Sequence, residues 1–186
     1  MRGSVRLFAV FAVTLLGCGE DPKPLTGLAY WADACPMSMC NSVPHQVRGS
    51  RGSPTVDVDC SLADGVVFFK IGALAGAQTN FDESSEGIRL QGTFNGVGEI
   101  PSGRVDIAGL GWRVTSAPVG PAVGTTGPGC HVFIDTIRNG GFVGRISCVN
   151  VNDSSSPPRQ RNIRGNTPLT QSGDYGEFVF ESCSAQ

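Results

Sequence analysis

His131-Val132-Phe133-Ile134-Asp135 precedes the tripeptide Asn139-Gly140-Gly141, which is followed by Phe142-Val143-Gly144-Arg145-Ile146-Ser147-Cys148-Val149. Both flanking segments are rich in β-branched and aromatic residues, a composition typical of strands. Asn-Gly-Gly tolerates the positive φ angles that a tight turn between antiparallel strands requires. The stretch therefore predicts a β-hairpin.

Outward from this hairpin, the chain predicts further short strands. In most of them every second residue is apolar, as in a strand with one buried face. No segment repeats its apolar residues with the helical period over the length of a helix, and 26 glycines and 12 prolines suit many turns. The sequence predicts an all-β fold: a single-domain β-sandwich with disulfides and about seven to nine strands, for which a jelly-roll-like arrangement is one option. The additional strands are predicted at Val56–Cys60, Val66–Ile71, Ile88–Phe94, Arg104–Ala108, Leu110–Val114 and Tyr175–Glu181.

The first residues have the features of an export signal. Arg2 and Arg6 are the only charged residues before the apolar run Leu7–Leu16, which a single threonine interrupts. A positive segment followed by a short apolar run is typical of a signal peptide. The run is too short to cross a bilayer, which takes about 20 apolar residues.

Leu15-Leu16-Gly17-Cys18 closes this apolar run and resembles the lipobox of bacterial lipoproteins. The resemblance implies cleavage before Cys18, a diacylglyceryl thioether on its thiol and an acyl chain such as palmitate on its freed amine. Two or three buried chains would hold the protein on a membrane, since each buried CH₂ contributes about 0.8 kcal/mol. Gly19 takes the place of the aspartate that tends to retain enterobacterial lipoproteins at the inner membrane. The expected location is therefore the outer membrane, if the host is Gram-negative.

Three regions follow from this interpretation. Residues 1–17 are the predicted signal peptide, 18–34 the lipidated N-terminus with a tether, and 35–186 a disulfide-bonded β-sandwich domain. Pro22 and Pro24 favour an extended tether.

Without Cys18 the cysteine number is even, and exported proteins meet an oxidising compartment, so three disulfides are expected. Six cysteines allow 15 pairings. We expect Cys35 and Cys40 to close a local loop and the other four to tie strands together across the sheets. Zinc is disfavoured because the chain has no CxxC pair and only two histidines. The candidates are Cys35, Cys40, Cys60, Cys130, Cys148 and Cys183. Strict alternation would point the last of them outward, so a bend before it is also expected.

Four residues are candidate ligand contacts. Asp57 and Asp59 lie on one face of a predicted strand, about 7 Å apart. Such a pair can bind Ca²⁺ or act as acid and base, but it can equally be the solvated face of a strand. Trp112 and Tyr175 would stack on sugar rings if exposed, although the alternation places Trp112 in the core.

No catalytic motif is found, and neither histidine has a recognisable partner in the sequence. His45 is predicted to be an exposed loop residue, His131 a residue of a sheet face, and 159–164 a solvated basic loop. A net charge of −2, more negative once the signal is removed, disfavours nucleic acid. The sequence therefore predicts a lipid-anchored envelope or surface lipoprotein that binds an envelope protein or a polysaccharide, or serves as a structural module. The alternative is a carbohydrate-active enzyme or a Ca²⁺-dependent glycan-binding module. No cofactor is expected besides the acyl chains on Cys18 and, in that alternative, Ca²⁺.

Overall fold

The computed structural model describes residues 23–34, 43–73, 81, 84–122, 127–165 and 175–183. These residues form twelve strands and no helix, which confirms the predicted all-β class. No helix able to cross a membrane is found among them. The signal peptide, Cys18, Cys35 and Cys40 lie outside the described residues. The strands are β1 (Thr26–Ala34), β2 (Val43–Ser50), β3 (Asp57–Ala63), β4 (Val66–Ala73), β5 (Glu86–Thr93), β6 (Gly98–Glu99), β7 (Gly103–Gly109), β8 (Arg113–Val119), β9 (Gly129–Arg138), β10 (Gly141–Asn152), β11 (Gln160–Arg164) and β12 (Gly176–Glu181).

All twelve strands belong to one hydrogen-bonded sheet. Its order is β11-β1-β12-β10-β9-β8-β7-β5-β4-β3, with β2 beside β1 and β6 beside β9. Neighbouring strands are antiparallel except for β8 and β9, which meet in parallel at Val119 and Cys130. The described strands outnumber the seven to nine expected from the sequence because β1, β2, β6 and β11 were not predicted.

The missed strands lack a strong hydrophobic alternation. The inward positions of β1 include Gly27, Ala29 and Asp33, while β2 contains Pro44 and buries His45. A strand whose inward residues are small or polar shows no apolar alternation, so a prediction based on periodicity misses it. Residues 26–34 were expected to belong to the tether. They instead form a strand that pairs with β2, β11 and β12.

Aromatic rings from distant parts of the chain form the centre of the core. The ring of Phe69 on β4 lies 4.5 Å from that of Phe178 and 4.9 Å from that of Phe180, both on β12. Phe142 on β10 lies 5.9 Å from Phe69. All four side chains are buried. The inner face of β4 thus packs against the inner faces of β10 and β12.

The predicted hairpin is confirmed, and it is longer than expected. β9 and β10 pair from Gly129 opposite Val149 to Arg138 opposite Gly141. Asn139 and Gly140 form the turn with φ angles of 50° and 74°. Both angles lie in the left-handed region that asparagine and glycine tolerate best.

Two disulfides join four of the predicted cysteines. Cys60 on β3 pairs with Cys183, just beyond β12, so this bond links strands that lie far apart in the sheet order. The expected bend before Cys183 is present at Ser182, whose φ is 57°. Cys130 and Cys148 face each other on β9 and β10. This second bond lies within one hairpin, which corrects the expectation that all four cysteines connect across sheets.

Candidate functional site

Five charged side chains meet at the end of β1, in what is called here the charge cluster. They are Asp33 on β1, His45 on β2, Glu86 on β5, Asp153 just after β10 and Arg161 on β11. Five separate segments of the chain thus contribute one charge each. Burying charges is costly unless they are paired, and such clusters beside a cavity are candidate functional sites.

His45 lies between two carboxylates. Its Nδ1 is 2.7 Å from Oε1 of Glu86, and its Nε2 is 3.3 Å from Oδ1 of Asp33. The imidazole stacks on the ring of Trp31, with 5.1 Å between centroids, and meets Trp112 edge-on at 6.0 Å. Both ring nitrogens therefore face acceptors, and the aromatic rings hold the imidazole plane in place.

Arg161 extends the cluster beyond His45. Its Nη1 donates to Oδ2 of Asp33 over 2.7 Å and its Nε to Oδ2 of Asp153 over 3.0 Å. The guanidinium carbon lies 4.9 Å from the centroid of Trp112, a cation–π contact. The backbone N–H groups of Ser155 and Arg159 also donate to Asp153.

The pKa values follow from these contacts. Burial alone would lower the pKa of His45, but the hydrogen bonds and charges of Asp33 and Glu86 outweigh it and raise that pKa above its usual value. Burial would raise the pKa of Asp153, but donors led by the Ser155 hydroxyl lower it. His45 is best satisfied as an imidazolium that donates from both nitrogens. In that form it has no lone pair with which to act as a general base.

The charge cluster predicts a dependence of stability on pH. Because the folded pKa of His45 is raised, its contribution is complete below the unfolded pKa of about 6.5 and is lost as the pH rises through the folded pKa. We expect the free energy of unfolding, measured with urea between about pH 5.5 and about pH 8.5, to fall across this window. His45→Gln should flatten that fall. An unchanged pH profile in His45→Gln would refute this assignment.

A second site, called here the arginine groove, lies on the outer face of β5, β7 and β8. Arg89 on β5 stands opposite Asp106 on β7, and Arg104 lies two residues before Asp106 on the same strand. Arg113, at the start of β8, completes the basic set. The groove has a volume of about 470 Å³ and is lined by these side chains together with Phe81, Gln91, Val114, Thr115 and Ser116.

Phe81 forms one wall of the arginine groove. Its ring covers Gly72 and Gly87, where a Cβ atom on either residue would collide with it. Arg113 holds Phe81 in place, because its Nη1 donates a hydrogen bond to the carbonyl oxygen of Phe81 over 3.0 Å. The close approach of an aromatic ring to the sheet explains why two glycines face each other across β4 and β5.

Asp57 and Asp59, the candidate carboxylate pair, are both engaged by cations. Lys70 Nζ lies 3.3 Å from Oδ2 of Asp57, and Arg51 forms an ion pair with Asp59. Both carboxylates are partly exposed on β3. Their oxygens contribute to salt bridges across the sheet.

Trp112 and Tyr175 lie in different surroundings. Trp112 is buried beneath Arg161, as predicted, but it lies before β8, and Leu110, which the same alternation placed inward, is 66% exposed. Tyr175 is half-buried, edge-on to Phe133, with the Arg145 guanidinium 5.0 Å from its ring. The structure therefore does not bring the two aromatic rings together into one sugar-binding surface.

The sequence did not reveal the charge cluster, and two expectations about its members were wrong. His45 is buried in β2 rather than exposed in a loop. Arg161 turns inward to Asp33 and Asp153 rather than facing water, although Arg164 is exposed as expected. His131 does lie on a sheet face, with Nδ1 2.6 Å from Glu99. Of the contacts in and around the cluster, the sequence itself shows only that Trp31 and Asp33 lie two residues apart.

The fold and the two sites define an all-β, disulfide-bonded domain with one buried charge cluster and one basic surface groove. Within the described ranges, no group of three or more His, Cys, Asp or Glu side chains is arranged to hold a metal ion. No family model, curated protein or solved structure matches the chain.

Proposed function

We propose that this protein is an exported lipoprotein, anchored through acyl chains on Cys18, whose all-β domain binds an acidic polysaccharide in the arginine groove. The observation that carries the proposal is the grouping of Arg89, Arg104 and Arg113 around Asp106, which is the one carboxylate among the described residues that line the groove. A groove with such an excess of positive charge attracts anionic ligands even on a protein of negative net charge.

The shape of the groove suits a chain of sugars. Its volume lies within the range of about 300–1,000 Å³ that is usual for ligand sites. Guanidinium groups bind carboxylates and sulfates with two parallel hydrogen bonds, which gives directional recognition of charged substituents.

The remaining polar residues suit sugar hydroxyls. Gln91, Thr115 and Ser116 supply both donors and acceptors at the groove surface. Asp106 accepts from the backbone N–H of Ser116 through Oδ1, and a carboxylate has further lone pairs for a ligand hydroxyl. A ligand that carries both anionic groups and hydroxyls uses all of these side chains.

The anchor and the sheet fit this role. Lys23 and Pro24 precede β1, which leads the chain from Thr26 to Ala34, so the domain starts within a few residues of Cys18. We also propose that the single sheet folds over on itself as a two-layered β-sandwich. The packing of Phe69 against Phe178 supports this, because β4 and β12 are far apart in the sheet order.

A flotation assay tests the ligand and the anchor separately. Full-length protein is extracted from membranes, reconstituted into phosphatidylcholine vesicles and mixed with fluorescent dextran sulfate or uncharged dextran. Dextran sulfate should float with vesicles that contain the wild-type protein, whereas uncharged dextran should not. About 0.5 M salt should release the dextran sulfate. Arg89→Gln combined with Arg104→Gln should lower the affinity about tenfold, at about 0.7 kcal/mol for each arginine.

The matched control combines Arg138→Gln with Arg164→Gln, two exposed arginines outside the groove. It should carry dextran sulfate like the wild type. Full binding of dextran sulfate by the groove variant would refute the proposal that the arginine groove binds an acidic polysaccharide. Labelled palmitate should be incorporated into the wild-type protein and not into Cys18→Ser. Equal labelling of both would refute acylation at Cys18, and it would not bear on ligand binding in the arginine groove.

A further inference from the structure

A cavity of about 240 Å³ opens onto the charge cluster. Its polar side is formed by Asp33, His45, Glu86 and Arg161, and Trp112 contributes an aromatic wall. This cavity shares no lining residue with the arginine groove.

The rim of the cavity is apolar and unusually exposed. Leu110, in the turn between β7 and β8, is 66% exposed, and Val43 at the start of β2 is 50% exposed. Leu110 also has a φ of 31°, a strained conformation for a leucine, with Gly111 following at 104°. Exposure of a large apolar side chain and backbone strain both cost free energy. A ligand that covers Leu110 would recover part of that cost.

The charges of the cluster do not balance. Among the described residues, Asp33, Glu86 and Asp153 form ion pairs with two cations, the His45 imidazolium and the Arg161 guanidinium. The side chains of Asp33 and Asp153 are 6% and 0% exposed, whereas that of Glu86 is 21% exposed. Glu86 uses Oε1 for His45, and its Oε2 has no hydrogen bond to any described residue. The excess negative charge is therefore accessible from the cavity at Glu86.

We propose that this cavity binds a small aliphatic amine, with the ammonium group on Glu86 and the alkyl body against Trp112 and Leu110. An ammonium group would complete the charge balance of the cluster. The alkyl chain would cover the exposed rim. A carboxylate in the same position would face Glu86 and be repelled, and a neutral alcohol would gain only the apolar contact.

Calorimetric titration of the full-length protein with n-hexylamine, 1-hexanol and hexanoate tests the proposal. The three probes contain six carbons each and differ in the charge of the head group. We expect hexylamine to bind at least about tenfold more tightly than hexanol, because a charged hydrogen bond is stronger than a neutral one, and hexanoate not to bind. Equal affinities for the amine and the alcohol would overturn the proposal.

Two variants locate the site. Glu86→Gln should reduce hexylamine affinity to that of hexanol. Glu99→Gln is the matched control, because Glu99 also pairs with a histidine, His131, but lies outside the cavity. Leu110→Ala changes only the exposed rim and should weaken hexylamine and hexanol alike by about tenfold. If Glu86→Gln fails to fold, the hexylamine affinity of Leu110→Ala tests the site instead. Unchanged hexylamine affinity in either folded variant would contradict the proposed site.

Discussion

Phe69→Ala should lower the free energy of unfolding by about 3–5 kcal/mol, the usual cost of removing a fully buried phenylalanine from a core. The Phe69 ring contacts Phe142, Phe178 and Phe180, which come from two strands on the other part of the sheet. Its loss therefore leaves a cavity at the point where β4 packs on β10 and β12. Urea unfolding monitored by circular dichroism measures the effect.

Phe68 is the matched control for this prediction. It neighbours Phe69 on β4 but points to the outer face, where Arg89 lies 6.0 Å from its ring. Phe68→Ala removes the same atoms from a partly exposed position, so it should cost less than half as much. Equal losses in both variants would mean that the core is not centred on Phe69.

Removal of the Cys60–Cys183 disulfide should cost more stability than removal of Cys130–Cys148. The first closes a loop with a sequence separation of 123 residues and the second one of 18. By the chain-entropy estimate, the long loop contributes about 5 kcal/mol and the short loop about 3 kcal/mol.

Paired Cys→Ala variants test this ranking under non-reducing conditions. Each pair replaces two buried cysteines, so the loss of packing is similar and the difference reports mainly the loop length. A larger loss for the Cys130–Cys148 pair would show that hairpin geometry, rather than restriction of the unfolded chain, governs the contribution of these bonds.

Strands with a strong local signal were predictable. The hairpin around Asn139 and Gly140 combines a turn that needs positive φ with two apolar segments, so short-range sequence suffices to define it. The same holds for β3, β4, β5 and β12, whose buried residues alternate along the chain. In each case the information lies within a few consecutive residues.

The candidate site was not predictable in this way. Asp33, His45 and Arg161 come from β1, β2 and β11, three strands that carry few large apolar inward residues. A polar residue in such a segment looks exposed until its partners are known. Those partners are distant in sequence: Arg161 and Asp33 are separated by 128 residues.

The sequence by itself determined the all-β class, the central hairpin, the oxidised cysteines and the expectation of an anchor at Cys18. Each of these depends on local composition or on a short motif. The tertiary structure alone decided which cysteines pair, which face each arginine occupies and how His45 is enclosed by two carboxylates. These features depend on strand pairings over long separations, which local periodicity does not encode.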